Sequence, residues 1–172
     1  MQNINPEKGT LLYNLSPRPF TPVEEGDREF NGEVLSVRVE KTLNTYELTQ
    51  LLLDQQREFD KSDEVNYFNF DGHKYWIDRD TRVSLLNSLT IQQSAGLEEA
   101  MLWFGGIPYT VKIDYAISFI KSLELYAVGC FNNTQAHLAE ISNINTREGL
   151  FEYNICTGYP EPLTFDSEYI VK

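Results

Sequence analysis

The stretch Tyr67-Phe68-Asn69-Phe70-Asp71-Gly72-His73-Lys74-Tyr75-Trp76-Ile77-Asp78 decides the fold. Asp-Gly readily takes the two left-handed backbone positions of a type I′ turn, and strand-favouring aromatics stand on both sides of it. The stretch reads as a tight hairpin in which Phe70 and Phe68 pair across to Tyr75 and Ile77 in that order. A helix follows from about Asp80, capped near Asp78, carrying Val83, Leu85, Leu86 and Leu89 and closed by Gly96. A hairpin running directly into a capped helix marks the start of a compact domain. It brings together no nucleophile, base or metal set, so it points to packing and docking rather than to catalysis.

Downstream, Met101-Leu102-Trp103-Phe104 and Ile107-Pro108-Tyr109-Thr110-Val111 flank Gly105-Gly106, a second hairpin whose Pro108 indicates an edge strand. Trp103, between Met101 and Phe104, is expected in the core. Asp114 reads as an N-cap. The spacing of Ile117, Ile120, Leu123, Tyr126, Cys130, Leu138 and Ile141 predicts one long helix, well beyond the usual mean of about 11 to 12 residues, with a bend at Gly129. Asn145-Thr146-Arg147-Glu148 reads as a further helix start, and Gly158-Tyr159-Pro160 breaks it before an aromatic tail.

Upstream, Tyr46, Leu48, Leu51, Leu52 and Phe59 recur at helical spacing behind a cap at Thr42, Asn44 or Thr45. Before them, Glu33–Glu40 places Leu35, Val37 and Val39 at every second position, the pattern of a half-buried strand. Residues 1–31 hold Pro6, Pro17, Pro19 and Pro22 in a polar context broken by Leu11, Leu12, Tyr13 and Phe20. Proline removes backbone donors and extends its neighbours, so this segment reads as an extended arm with apolar anchors. The expected fold class is α+β: a small antiparallel sheet of hairpins packed on helices, one of them long. The expected division is an arm at 1–31, the α+β domain at 32–160 and a tail at 161–172.

Charge narrows the function. Only 14 Lys and Arg stand against 26 Asp and Glu, a net charge of −12, which argues against a surface that tracks nucleic acid or binds an anionic membrane. No apolar run approaches the roughly 18 residues of a membrane span, and the first residues lack a leader pattern, so synthesis in the cytoplasm is expected. Cys130 and Cys156 have neither metal nor redox spacing and read as two buried free thiols.

The candidate chemical sites are weak. His73 lies near Asp71, Asp78 and Asp80, but Asp71 has a turn role and Asp78 or Asp80 a capping role, so no metal and no cofactor is expected. His137 is isolated on the long helix. Glu98 and Glu99 read as the polar edge of a strand rather than as a glycosidase pair. Strand alternation sends about half of the aromatics at Tyr67, Phe68, Phe70, Tyr75, Trp76, Trp103, Phe104 and Tyr109 to each face, leaving a core and a rim. Tyr67, Phe68 and Trp76 are the expected docking anchors in the domain, as Leu11, Leu12, Tyr13 and Phe20 are in the arm.

The order of hairpin, capped helix, Trp-containing strand pair and long helix resembles a phage-encoded domain of unknown function. That family occurs in short proteins associated with tail fibres and tail-fibre assembly. The matching residues are Phe70, Gly72, Tyr75 and Asp78, then Trp103 and Val111, Asp114, and Ile141 with Asn145-Thr146-Arg147-Glu148, covering about residues 67–153. Gly105-Gly106 departs from the acidic or asparagine turn usual there. The resemblance implies a non-enzymatic virion protein made in the host cytoplasm, with other tail, collar or fibre proteins as partners and self-association left open. A fibre-assembly chaperone absent from the finished particle is the alternative, and a small polysaccharide hydrolase or carbohydrate-binding module is the third reading.

Overall fold

The computed structural model describes residues 44–171. The arm at 1–31 and the strand expected at 33–40 lie outside the described residues. In chain order the elements are helix α1 (Thr45–Asp60), strands β1 (Phe68–Phe70) and β2 (His73–Tyr75), helix α2 (Arg79–Ser94), strands β3 (Glu99–Phe104) and β4 (Ile107–Lys112), and helices α3 (Ile113–Asn143) and α4 (Arg147–Glu152). A short 3-10 turn follows at Ser167–Tyr169. The fold class is α+β.

The chain divides into two compact units and passes between them three times. One unit takes the chain up to Lys61 and then Asn132–Tyr159; the other takes Ser62–Phe131 and the chain from Pro160 onward.

In the first unit, α1 begins with a reciprocal capping box. The Glu47 amide donates to Asn44 Oδ1 at 3.0 Å, and the Asn44 amide donates to Glu47 Oε2 at 2.7 Å. Both orphan donors are thereby satisfied. Leu48, Leu52 and Leu53 then fall on one face and bury against Ile141 of α3, Leu150 and Phe151 of α4, and Ile155. Each such side chain contributes roughly 1.5 to 3 kcal/mol when fully buried. Thr146 caps α4 by accepting from the Gly149 amide at 3.2 Å.

The second unit is built on the two hairpins. Asp71 and Gly72 have φ of 49° and 75°, and Gly105 and Gly106 have 57° and 81°. Both turns thus carry paired left-handed residues, which matches the right-handed twist of the strands. The first register differs from the expected one: Phe70 faces His73 and Phe68 faces Tyr75, while Ile77 lies beyond the strand. A two-residue turn pairs the residues immediately flanking it, which places His73 and not Tyr75 opposite Phe70.

Asp78 caps α2, accepting from the Thr81 hydroxyl at 2.7 Å and the Thr81 amide at 2.9 Å. These bonds hold its carboxyl below the usual carboxylate range. At the other end Gly96 donates to Gln93 O and Leu97 to Gln92 O, with Gly96 at φ 82°, a Schellman ending. Asp114 is not the cap expected of it. Helix α3 already begins at Ile113, whose amide donates to Glu98 O, and Asp114 sits in the first turn, accepting from Gln93 Nε2 at 2.6 Å. Helix α3 then continues for 31 residues through Gly129 without a break. A Cβ at Gly129 would stand 3.3 Å from Pro160 Cγ, so its missing side chain serves close packing.

Each hairpin forms its own two-stranded sheet. The hairpins meet through aromatic rings rather than through a shared ladder, with Phe104 centred 5.6 Å from Phe68 and 5.2 Å from Phe70. The segment read as a tail supplies backbone to both. The Asn69 amide donates to Leu163 O and the Phe165 amide donates to Asn69 O, each at 2.8 Å, while the Val171 amide donates to Thr110 O at 2.8 Å. Phe165 is 2% exposed and packs edge-on against Phe70, Phe104, Tyr115 and Phe119. It completes an aromatic core.

Candidate docking surface

Strand β3 alternates without exception: Ala100, Leu102 and Phe104 are buried, and Glu99, Met101 and Trp103 face solvent. Residues directly opposite in an antiparallel pair share a face. Pro108 and Thr110 therefore flank Trp103 and Met101 on the outer side, and Lys112 stands opposite Glu99. Trp103 is 62% exposed and Met101 56% exposed, so a large ring and a flexible thioether lie in water on a rigid hairpin. The placement of Trp103 in the core is thus corrected. Phe104 is its immediate neighbour, and consecutive strand residues cannot both point inward. That parity was the available signal for finding Trp103 and Met101 on the surface.

The expected anchors are distributed differently. Phe68 is 0% exposed and belongs to the core, where it packs on Tyr75, Phe104 and Phe119; it offers no surface for a partner. Tyr67 and Trp76 are half-buried. Tyr67 is covered by the Lys74 ammonium, 4.1 Å from its ring centre, and Trp76 by the Arg82 guanidinium at 5.0 Å. Arg82 is itself buried, donating to Glu124 Oε2 at 2.7 Å and to Ile77 O at 2.6 Å. Leu11, Leu12, Tyr13 and Phe20 lie outside the described residues.

Beside the outer face of β3 lies a surface groove of about 560 Å³, lined among others by Glu98, Glu99, Lys112, Tyr115 and Tyr169. The Tyr115 and Tyr169 rings stack in parallel, 4.0 Å between centres. Burial raises the Tyr115 hydroxyl pKa above the ordinary tyrosine range. Among the described residues no cluster of three or more His, Cys, Asp or Glu side chains is placed to hold a metal ion. No helix among them is long and apolar enough to cross a membrane.

His137, expected to be isolated, is the hub of a buried polar network in the first unit. Its Nδ1 lies 2.5 Å from the Tyr153 hydroxyl and its Nε2 lies 2.9 Å from Thr157 O, while the Tyr153 hydroxyl donates to Glu140 at 2.7 Å. Burial, reinforced by the Glu140 bond, pushes the Tyr153 pKa well above the ordinary range. Nearby, Tyr159 accepts from Gln56 Nε2 at 2.7 Å, and Thr134 donates to Asp60 at 2.6 Å. The network ties polar groups together around a packed core, with Gln56 Oε1 the buried side-chain oxygen among the described residues that it leaves without a hydrogen bond. Neither Cys130 nor Cys156 is in a disulfide, and Cys156 is only half-buried, in contrast to Cys130.

Neither protein-family models, curated proteins nor solved structures give a match to the chain. Geometry must therefore carry the functional reading. The outer hairpin face carries Met101 in its middle, Trp103 toward the turn and a Glu99–Lys112 pair at the far border, a composition of aromatic and Met side chains beside charge that suits a protein-recognition patch.

Proposed function

We propose that this chain is a structural adaptor of a tailed-phage virion, associated with tail, collar or fibre, and that it works by protein–protein docking without catalysis. The observation that carries the docking reading is Trp103, exposed on a strand whose alternate residues are locked into an aromatic core. Exposed tryptophans on rigid supports are the side chains that most often dominate binding energy, each contributing about 2 kcal/mol or more as a hot spot. The phage context rests on the sequence resemblance over about residues 67–153. On this reading the arm at 1–31 is a second contact, with Leu11, Leu12, Tyr13 and Phe20 as anchors and prolines lowering the entropy lost on ordering.

Mass spectrometry of purified particles tests it. Recovery at fixed stoichiometry in the particle, lost on Trp103→Ala while the protein still folds, supports the adaptor reading. Recovery only from assembling lysates would assign a fibre-assembly chaperone instead.

A further inference from the structure

We infer that His137, Tyr153 and Glu140 form a pH-sensitive clasp in the first unit, closed when the imidazole carries a hydrogen on both nitrogens and opened at Glu140 when the ring loses one of them to water. The directions of the hydrogen bonds carry this. Thr157 O is a carbonyl and can only accept, so His137 Nε2, 2.9 Å away, must bear a hydrogen. The Glu140 carboxylate likewise accepts from the Tyr153 hydroxyl at 2.7 Å, which uses the one hydrogen that the phenol has. The Tyr153 oxygen can then meet His137 Nδ1 at 2.5 Å only as an acceptor, so Nδ1 bears a hydrogen as well. Together the three bonds need one proton more than a neutral ring, a phenol and a carboxylate supply. An imidazole is ordinarily more basic than a carboxylate by about two units, which puts that proton on the ring and leaves Glu140 charged.

A second chain of bonds in the same unit needs no such addition. Gln56 Nε2 donates to the Tyr159 hydroxyl at 2.7 Å, Tyr159 donates to Thr134 Oγ1 at 2.9 Å, and Thr134 donates to the Asp60 carboxylate at 2.6 Å. Each hydroxyl there accepts once and donates once. The titratable groups joined to the imidazole are thus Tyr153, Glu140 of α3, Tyr159, whose ring stacks on it at 5.9 Å, and, through Tyr159 and Thr134, Asp60 of α1. The half-buried Cys156 adjoins Thr157 in sequence. Once the ring is neutral, Nε2 keeps its hydrogen for Thr157 O and Nδ1 becomes an acceptor. The Tyr153 hydroxyl can then serve Nδ1 or Glu140 but not both. Glu140 is exposed and water replaces its partner, whereas His137 is 6% exposed, so the phenol turns to Nδ1 and Glu140 is released. The released bond ties α3 to Tyr153, at the end of α4 and two residues before Ile155, which is buried in the core of the unit. The inference does not depend on what the Trp103 face docks.

Heteronuclear NMR of the ring nitrogens in the full chain tests it, over about pH 5 to 8 so that thiols and phenols stay largely protonated. Both His137 nitrogens should bear hydrogens at the acid end, and Nδ1 alone should lose its hydrogen as the pH rises. Glu140→Gln offers Tyr153 an amide donor and frees the phenol hydrogen for Nδ1. The pH of that loss should therefore fall by about one unit, a tenfold weaker hold on the proton. Because Glu140 is on the surface, this variant keeps the fold, and His73 in the second unit should titrate as before. A His137 ring that keeps one charge state throughout, a neutral ring with its hydrogen on Nδ1, or loss of the proton at an unchanged pH in Glu140→Gln would each overturn the clasp.

Discussion

Phe165 meets Phe70 edge to face, their ring centres 5.2 Å apart and their planes at 79°. The contact ties the distal end of the chain to the first hairpin and is reinforced by the backbone bonds between Phe165 and Asn69. The segment from Pro160 onward is therefore a strand-like component of the second unit.

Replacing Phe165 with Ala should destabilise the protein by about 3 to 5 kcal/mol, the range for truncating a large buried aromatic. A denaturant titration reads this directly. A loss below about 1 kcal/mol would mean that the ring contributes little to the core.

Trp103→Ala should behave in the opposite way. With most of the side chain already in water, the change in unfolding free energy should stay within about 0.5 kcal/mol, as for ordinary surface substitutions. Partner binding or particle incorporation should fall at least tenfold. A stability loss of core magnitude would refute the solvent-facing placement.

Arg82→Ala should cost about 2 to 3 kcal/mol. It removes a buried guanidinium that donates to Glu124 and Ile77 O and covers Trp76. The estimate lies near the range for hydrogen bonds to charged groups and below that for breaking a fully buried pair, because Glu124 is partly open to solvent and screened. Thermal unfolding of Arg82→Ala against Arg82→Lys separates the geometry from the charge. Lysine should recover only part of the loss, since one ammonium cannot reproduce the fork.

Stability should fall on the alkaline side. The Tyr126 hydroxyl donates to Val65 O at 2.6 Å, and burial, with a smaller influence of Cys130, holds its pKa well above the ordinary tyrosine range. A pKa raised in the folded state contributes stability that is complete below the unfolded value, about 10, and is lost as pH rises through the folded value. Tyr153 acts in the same sense. Denaturant titrations at rising pH should show a plateau up to about pH 10 and a decline above it. Tyr126→Phe should cost about 1 kcal/mol at neutral pH and flatten the decline. An unchanged slope would exclude Tyr126 as its source.

Much of the local chemistry was legible, although the cap read at Asp114 and the register read for the first hairpin were not what the chain adopts. The two hairpins, the caps at Asn44, Asp78 and Thr146, and the ending at Gly96 all follow from residues within a few positions. Contacts distant in sequence were not. Nothing in Leu163-Thr164-Phe165 announces that it pairs beside Asn69, because that pairing depends on where the chain returns. His137 looked isolated for the same reason, its partners arriving from Tyr153 and Thr157. The misplacement of Trp103 had a different origin: residue type was given more weight than strand parity, which the neighbouring Phe104 already settled.

The threefold passage of the chain between its two units has a consequence for biosynthesis. A polypeptide emerging from the ribosome in sequence order presents the hairpins and the start of α3 well before Phe165 and the residues that pair with Asn69 and Thr110. Until then the aromatic faces of Phe70 and Phe104 stay incompletely covered, and the early helix α1 waits likewise for Leu150 and Ile155. Neither unit is a contiguous cassette, so neither can mature vectorially behind the other. Both close in the same late interval, and until then the nascent chain exposes its most adhesive surfaces.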